Sequence, residues 1–215
     1  MNDVDSELIF EAWNKITHNK NLIVVDVQPA YEQRCFHISD FCNFLNNYPS
    51  NKKIYYFYVG SDSGFTEDDK YSIIEWLYEN ECKEETIDRI KFIEKDYGFF
   101  RDLMDTGIDE NIIKKLIRYM VITRKYSLED EDKETILKYF GTTNGEIERA
   151  IDDLNSGRLT LHLPGYIDDK LIRELKQNQP FIIVGGGRRE CLAEIELLLS
   201  TFNISHSKNN KFIYG

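Results

Sequence analysis

The chain has 215 residues, enough for one α/β domain with an insertion and a sizeable core. Lys and Arg total 27 against 38 Asp and Glu, a net charge of −11, which argues against a broad electrostatic grip on nucleic acid or anionic lipid. Four cysteines, Cys35, Cys42, Cys82 and Cys191, show neither C-x-x-C spacing nor a partnering His cluster, so reduced thiols in a cytoplasm are the expectation, with no metal and no cofactor.

The first residues, MNDVDSELIFEAWNK, are acidic and amphipathic, and predict a helix capped by Ser6 with Leu8, Ile9, Trp13 and Ile16 on its apolar face. They lack the charged and apolar regions of a signal peptide, and no apolar run reaches bilayer length, so a soluble protein without membrane contact is expected. NLIVVDVQP is a continuous apolar run ending in Asp26, the pattern of a strand buried on both faces, and Pro29 ends its pairing. A helix follows from about Ser39, then the aromatic strand KIYYFYVGSDSG. Thr66 with Asp69 resembles a capping box opening the helix EDDKYSIIEWLYEN.

The strand RIKFIE leads to Lys95, and DENIIKKLIRYM beyond it is helical. Residues 126–157 break the alternation. They read as two helices, capped by Ser127 and by Thr143 or Asn144, so the expected organisation is one α/β domain over 1–125 and 158–215 with a helical insertion at 126–157. The acidic run Glu129 to Asp132 reads as a solvated first turn beside the positive end of its helix. RLTLHL then suggests an extended stretch, and a helix begins near Asp168. Phe181 to Val184 is a strand, a helix runs from about Arg189 to Phe202, and KFIYG suggests a short terminal strand.

Strands separated by helices in this order predict a parallel sheet covered on both sides, an α/β/α arrangement of three layers. Ligands of such sheets gather at the carboxyl ends of the strands. That rule selects Asp26, Ser61 and Asp62, Lys95, and Gly185 to Cys191 as neighbours around one crevice.

LIVVDVQPAY, FIEKDYGFF and IIVGGGRRECL resemble the three motifs of the isochorismatase-like cysteine hydrolases. In that family one strand ends in an Asp, often followed by an apolar residue and Gln, matched by Asp26-Val27-Gln28. A second ends in a Lys before a Phe-containing loop, matched by Lys95 with Phe99 or Phe100. A third ends in a Gly with the nucleophilic Cys six residues on, matched by Gly185 and Cys191. The resemblance implies a Rossmann-like parallel sheet and hydrolysis of a small amide or ester-like substrate by a Cys191, Asp26 and Lys95 triad.

The residue types suit that chemistry. A thiol at a helix N-terminus beside Arg188 and Arg189 is biased toward thiolate, Asp26 can act as general base, and Lys95 can hold developing negative charge. Backbone N–H groups around Gly186, Gly187, Arg188 and Arg189, as far as Cys191, are candidates for an oxyanion hole. The zinc-binding Asp-x-His motif of nicotinamidases is missing, and none of His18, His37, His162 or His206 supplies it. The plain alternatives are packing for Cys191, a surface ion pair for Lys95 and a tight turn for the glycines.

A second reading is a catalytically inactive protein that binds a small anionic ligand or nucleotide at the Gly-Gly-Gly-Arg-Arg turn. A third is a protein that docks a partner, or a second copy, through its helical insertion. The whole chain also resembles uncharacterised proteins of large tailed phages, which would place it in a host cytoplasm.

Overall fold

The computed structural model describes residues 19–34, 36–61, 66–95, 109–125, 128, 132–140, 145, 148–149, 151–152, 156 and 167–214. Five strands, β1 (Asn21–Val25), β2 (Ile54–Val59), β3 (Ile90–Lys95), β4 (Phe181–Gly185) and β5 (His206–Lys208), form one sheet in the order β3-β2-β1-β4-β5. Every pairing is parallel. From β1 the chain builds outward through β2 to β3, then returns to place β4 on the other side of β1, so the order reverses between β1 and β4. In open α/β sheets such a reversal is where ligands bind, at the carboxyl ends of the strands.

Seven α-helices are present among the described residues: α1 (Ile38–Asn46), α2 (Lys70–Glu79), α3 (Glu84–Ile87), α4 (Glu110–Thr123), α5 (Asp132–Phe140), α6 (Asp169–Gln177) and α7 (Cys191–Thr201). The chain divides into two compact units, one of residues 1–95, 177–192 and 205–215, the other of residues 96–176 and 193–204. The first unit holds the whole sheet. The 126–157 segment falls within the second, where α4 and α5 contact each other.

The strands form because their residues can be buried on both sides. Leu22, Val24, Tyr56 and Val184 point to one face, where they meet α1 and α2, and Ile23, Val25, Tyr55 and Ile183 point to the other, all of them fully buried. In α1, Ile38, Phe41, Cys42 and Leu45 are the buried positions, the spacing of a single apolar stripe. The Arg89 guanidinium donates to the carbonyls of Leu45, Tyr48 and Pro49, and so finishes the exposed end of that helix.

Four local expectations are corrected. The cap of α2 is Asp69, whose carboxylate accepts from the N–H groups of Tyr71 and Ser72, while the Ser72 hydroxyl accepts from the Asp69 N–H. Thr66 instead accepts from the Asp68 N–H, because an acid three residues before Ser72 closes the reciprocal box and a threonine at 66 lies too early. The last strand is His206–Lys208, and KFIYG contributes the end of a 3-10 turn at Asn210–Phe212 and an isolated bridge from Tyr214 to Gly187. Asp132 is not solvated: it is buried and paired with the Lys125 ammonium. Helix α7 starts at Cys191, after a turn over Arg188 to Glu190, rather than at Arg189. The N-terminal helix capped by Ser6, the extended stretch RLTLHL, and the caps Ser127, Thr143 and Asn144 lie outside the described residues.

Candidate functional site

The carboxyl end of β1 is held in an unusual backbone conformation. Asp26 has φ +48°, the left-handed region that L-residues avoid and that Asp tolerates better than most. Three neighbours fix it there. The Asp26 N–H donates to the Phe57 carbonyl at 2.9 Å, the Tyr214 hydroxyl donates to the Asp26 carbonyl at 3.1 Å, and the Tyr56 hydroxyl donates to the Val27 carbonyl. Gln28 is fully buried and spans the gap to β2: its amide nitrogen donates to the Val59 carbonyl and to Asp68, and its oxygen accepts from the Val59 N–H. Asp68 also accepts from the Ala30 N–H, so both strand ends and the approach to α2 share one network.

Lys95 enters from two strands away. It is the last residue of β3, opposite Val59 of β2, and its side chain crosses the end of β2 to reach β1. Its Nζ lies 2.9 Å from Asp26 Oδ2, and both side chains are completely inaccessible to solvent. Asp26 Oδ1 accepts no hydrogen bond among the described residues. Two charges withdrawn from water carry a desolvation penalty of several kcal/mol each, on the order that only a close, well-oriented partner offsets. A carboxylate with one oxygen ion-paired to an ammonium and the other left over is therefore a costly arrangement for packing alone.

The turn after β4 brings a second element to the same edge. Gly185 pairs with Val25 in the sheet, and a Cβ there would stand 2.2 Å from the Val25 carbonyl oxygen and 2.6 Å from Val27 Cγ2. Gly185 and Gly186 adopt φ +81° and +68°. A Cβ on Gly186 would come within 3.0 Å of the Leu192 nitrogen, so the first turn of α7 folds directly onto the glycines. Cys191 thus heads a helix at the β1/β4 edge and is buried, while Arg188 and Arg189 beside it are exposed. The Arg188 N–H donates to the Tyr214 carbonyl and the Glu190 N–H to the Gly187 carbonyl, so among the residues selected for an oxyanion hole Arg188 has its N–H engaged, and Gly187 and Arg189 stay as candidates.

Of the residues selected from the sequence, Asp26 and Lys95 make direct contact, and Gly185 to Cys191 occupy the neighbouring strand end. Ser61 follows β2 and is exposed, and Asp62, Phe99 and Phe100 lie outside the described residues. Tyr214, Tyr56, Asp68 and the supporting role of Gln28 were not selected. Gln28 stood inside the D-x-Q motif, and its burial next to Asp26 was the one signal available; nothing in the order of residues announces that Tyr214 returns to β1.

Among the described residues there is no group of three or more His, Cys, Asp or Glu side chains placed to hold a metal ion, and no helix is long and apolar enough to cross a membrane. Compared with known protein families, curated proteins and solved structures, the chain matches none.

Proposed function

We propose that this chain is a cysteine hydrolase of the isochorismatase-like type, acting on a small amide or ester-like substrate at the carboxyl edge of β1 and β4. The observation that carries the reading is the buried Asp26–Lys95 pair at the point where strand order reverses, with Asp26 Oδ1 left without a hydrogen-bond donor among the described residues. In this reading Asp26 takes the thiol proton of Cys191 as the sulfur attacks the carbonyl carbon. The oxyanion that forms is held by N–H groups of the turn. Collapse breaks the bond to the leaving group, which receives that proton from Asp26, and water then hydrolyses the thioester. Lys95 fixes the carboxylate and balances its charge throughout.

The exposed guanidinium groups of Arg188 and Arg189 favour one alternative, a protein that binds a small anion at this turn without turning it over. The two readings separate on covalent chemistry. Incubation with p-nitrophenyl acetate, followed by intact-mass and peptide mapping, should place an acetyl group on Cys191. Cys191→Ala should abolish the adduct with the fold unchanged by circular dichroism, and Asp26→Asn should slow acetylation by about 100-fold or more. Acetylation elsewhere, or Cys191 inert to both the ester and iodoacetamide, would leave the binding reading in its place.

A further inference from the structure

Away from the strand ends, two of the remaining cysteines are brought together. Cys42 lies on the buried face of α1, and Cys82 sits in the turn that joins α2 to α3, separated by forty positions of sequence. Both address one carbonyl: the Leu77 oxygen accepts the Cys82 N–H at 2.9 Å and lies 3.9 Å from Cys42 Sγ. One helical turn after Cys42, the Asn46 amide brackets the second cysteine. It donates to the Glu81 carbonyl and accepts from the Lys83 N–H, each at 2.8 Å, so the turn carrying Cys82 is clamped against the face of α1 that carries Cys42. The two thiols stand near enough for each to shift the other's titration. Both are free thiols and buried, yet the residues flanking Cys82, Glu81 and Lys83, are exposed, and Glu81 holds the left-handed φ of +67° that a tight surface turn requires.

We infer that Cys42 and Cys82 form a redox pair, a site for modification by small peroxides at which a reversible disulfide ties α1 to the α2–α3 turn. Cys82 is the peroxide-reactive member. The neighbouring Cys42 thiol favours its thiolate and holds its pKa below the ordinary thiol value, helped by the Arg89 charge and the Lys83 N–H and opposed by burial. The same interaction with Cys82, together with burial and the nearby negative charge, pushes Cys42 up, so it keeps its proton until Cys82 has reacted. The Cys82 thiolate attacks one peroxide oxygen; an S–O bond forms, the O–O bond breaks and hydroxide leaves. Cys42 sulfur then attacks Cys82 sulfur, the S–S bond forms as the S–O bond breaks, and the departing hydroxide takes up the Cys42 proton as water. Two thiols and one hydrogen peroxide become one disulfide and two waters, the peroxide being the oxidant. A pair of this kind suits a reducing compartment, where a disulfide is transient and sensing rather than structural.

The test is one equivalent of hydrogen peroxide added to the full chain, free thiols then blocked with iodoacetamide and peptides mapped without reductant. A cross-linked peptide containing Cys42 and Cys82, lighter than its parts by two hydrogen atoms and released by dithiothreitol, is expected. In Cys42→Ser the link cannot form, and dimedone should trap a sulfenic acid on Cys82. The oxidised native chain should also unfold at higher urea than the reduced chain, and that difference should vanish in Cys42→Ser. If Cys42 and Cys82 both remain alkylatable in urea after peroxide while Cys35 or Cys191 is oxidised, or if dimedone in Cys42→Ser marks another cysteine, the inference is wrong. The map of the native chain decides this even where a variant folds poorly.

Discussion

Two buried aspartates, one in each compact unit, are each matched to a lysine, and they differ in where that lysine lives. In the sheet unit Asp26 and Lys95 both have side-chain exposure of 0%, whereas in the helical unit Asp132 is 5% exposed and its partner Lys125 keeps 41%. An ammonium that stays in water gives up little hydration, so its pair resembles a surface ion pair of small net value. The Lys95 ammonium gives up all of it. Charge is thus stored in the sheet unit at a place where removing either partner exposes the full penalty.

The sharpest break of this contrast is Lys95→Met, which abandons Asp26 in a sealed interior. It should destabilise the fold by about 3–5 kcal/mol in urea unfolding, and pairing it with Asp26→Leu should recover most of that loss. A cost near that of a surface pair would erase the distinction between the two units.

Gly185→Ala tests whether backbone geometry sets the position of Asp26. The added Cβ meets the Val25 carbonyl in a left-handed conformation, and a loss of about 1–3 kcal/mol is expected from strain at such a position. The smallest effect belongs to Lys125→Met, expected to change stability by less than about 1 kcal/mol, with the difference shrinking further in added salt.

Four of the five strands could be read from the chain because LIVV, IYYFYV and FIIV are apolar runs, and IKFI a mostly apolar one, with no competing helical period. The fifth could not: His-Ser-Lys carries no apolar signal, and its strand exists because the edge of β4 offers it a ladder. Asp26 and Lys95 were found by a rule about strand ends, which needs only element order. Their meeting was expected from the same rule and from the resemblance, and a lysine long enough to pass over β2 makes the contact. The Tyr214 and Gln28 bonds, like the meeting of Cys42 and Cys82, join positions far apart in sequence whose residue types are ordinary one by one. The burial of Asp132 escaped for a related reason, because an acidic run looks the same whether one of its members faces water or a lysine.

The position of β1 at the centre of the sheet also bears on how the chain is made. Its partner β2 follows closely, but its other partner, β4, begins only at Phe181, so during synthesis one full edge of this apolar strand waits unpaired while residues 96–176 of the second unit emerge. Parallel pairing across so long a loop is slow, and an open edge reading Leu-Ile-Val-Val is the kind of template on which nascent chains associate. Aggregation during expression should therefore be governed less by the stability of the finished sheet than by how soon β4 arrives, and a fragment ending before Phe181 should need a chaperone to stay dispersed.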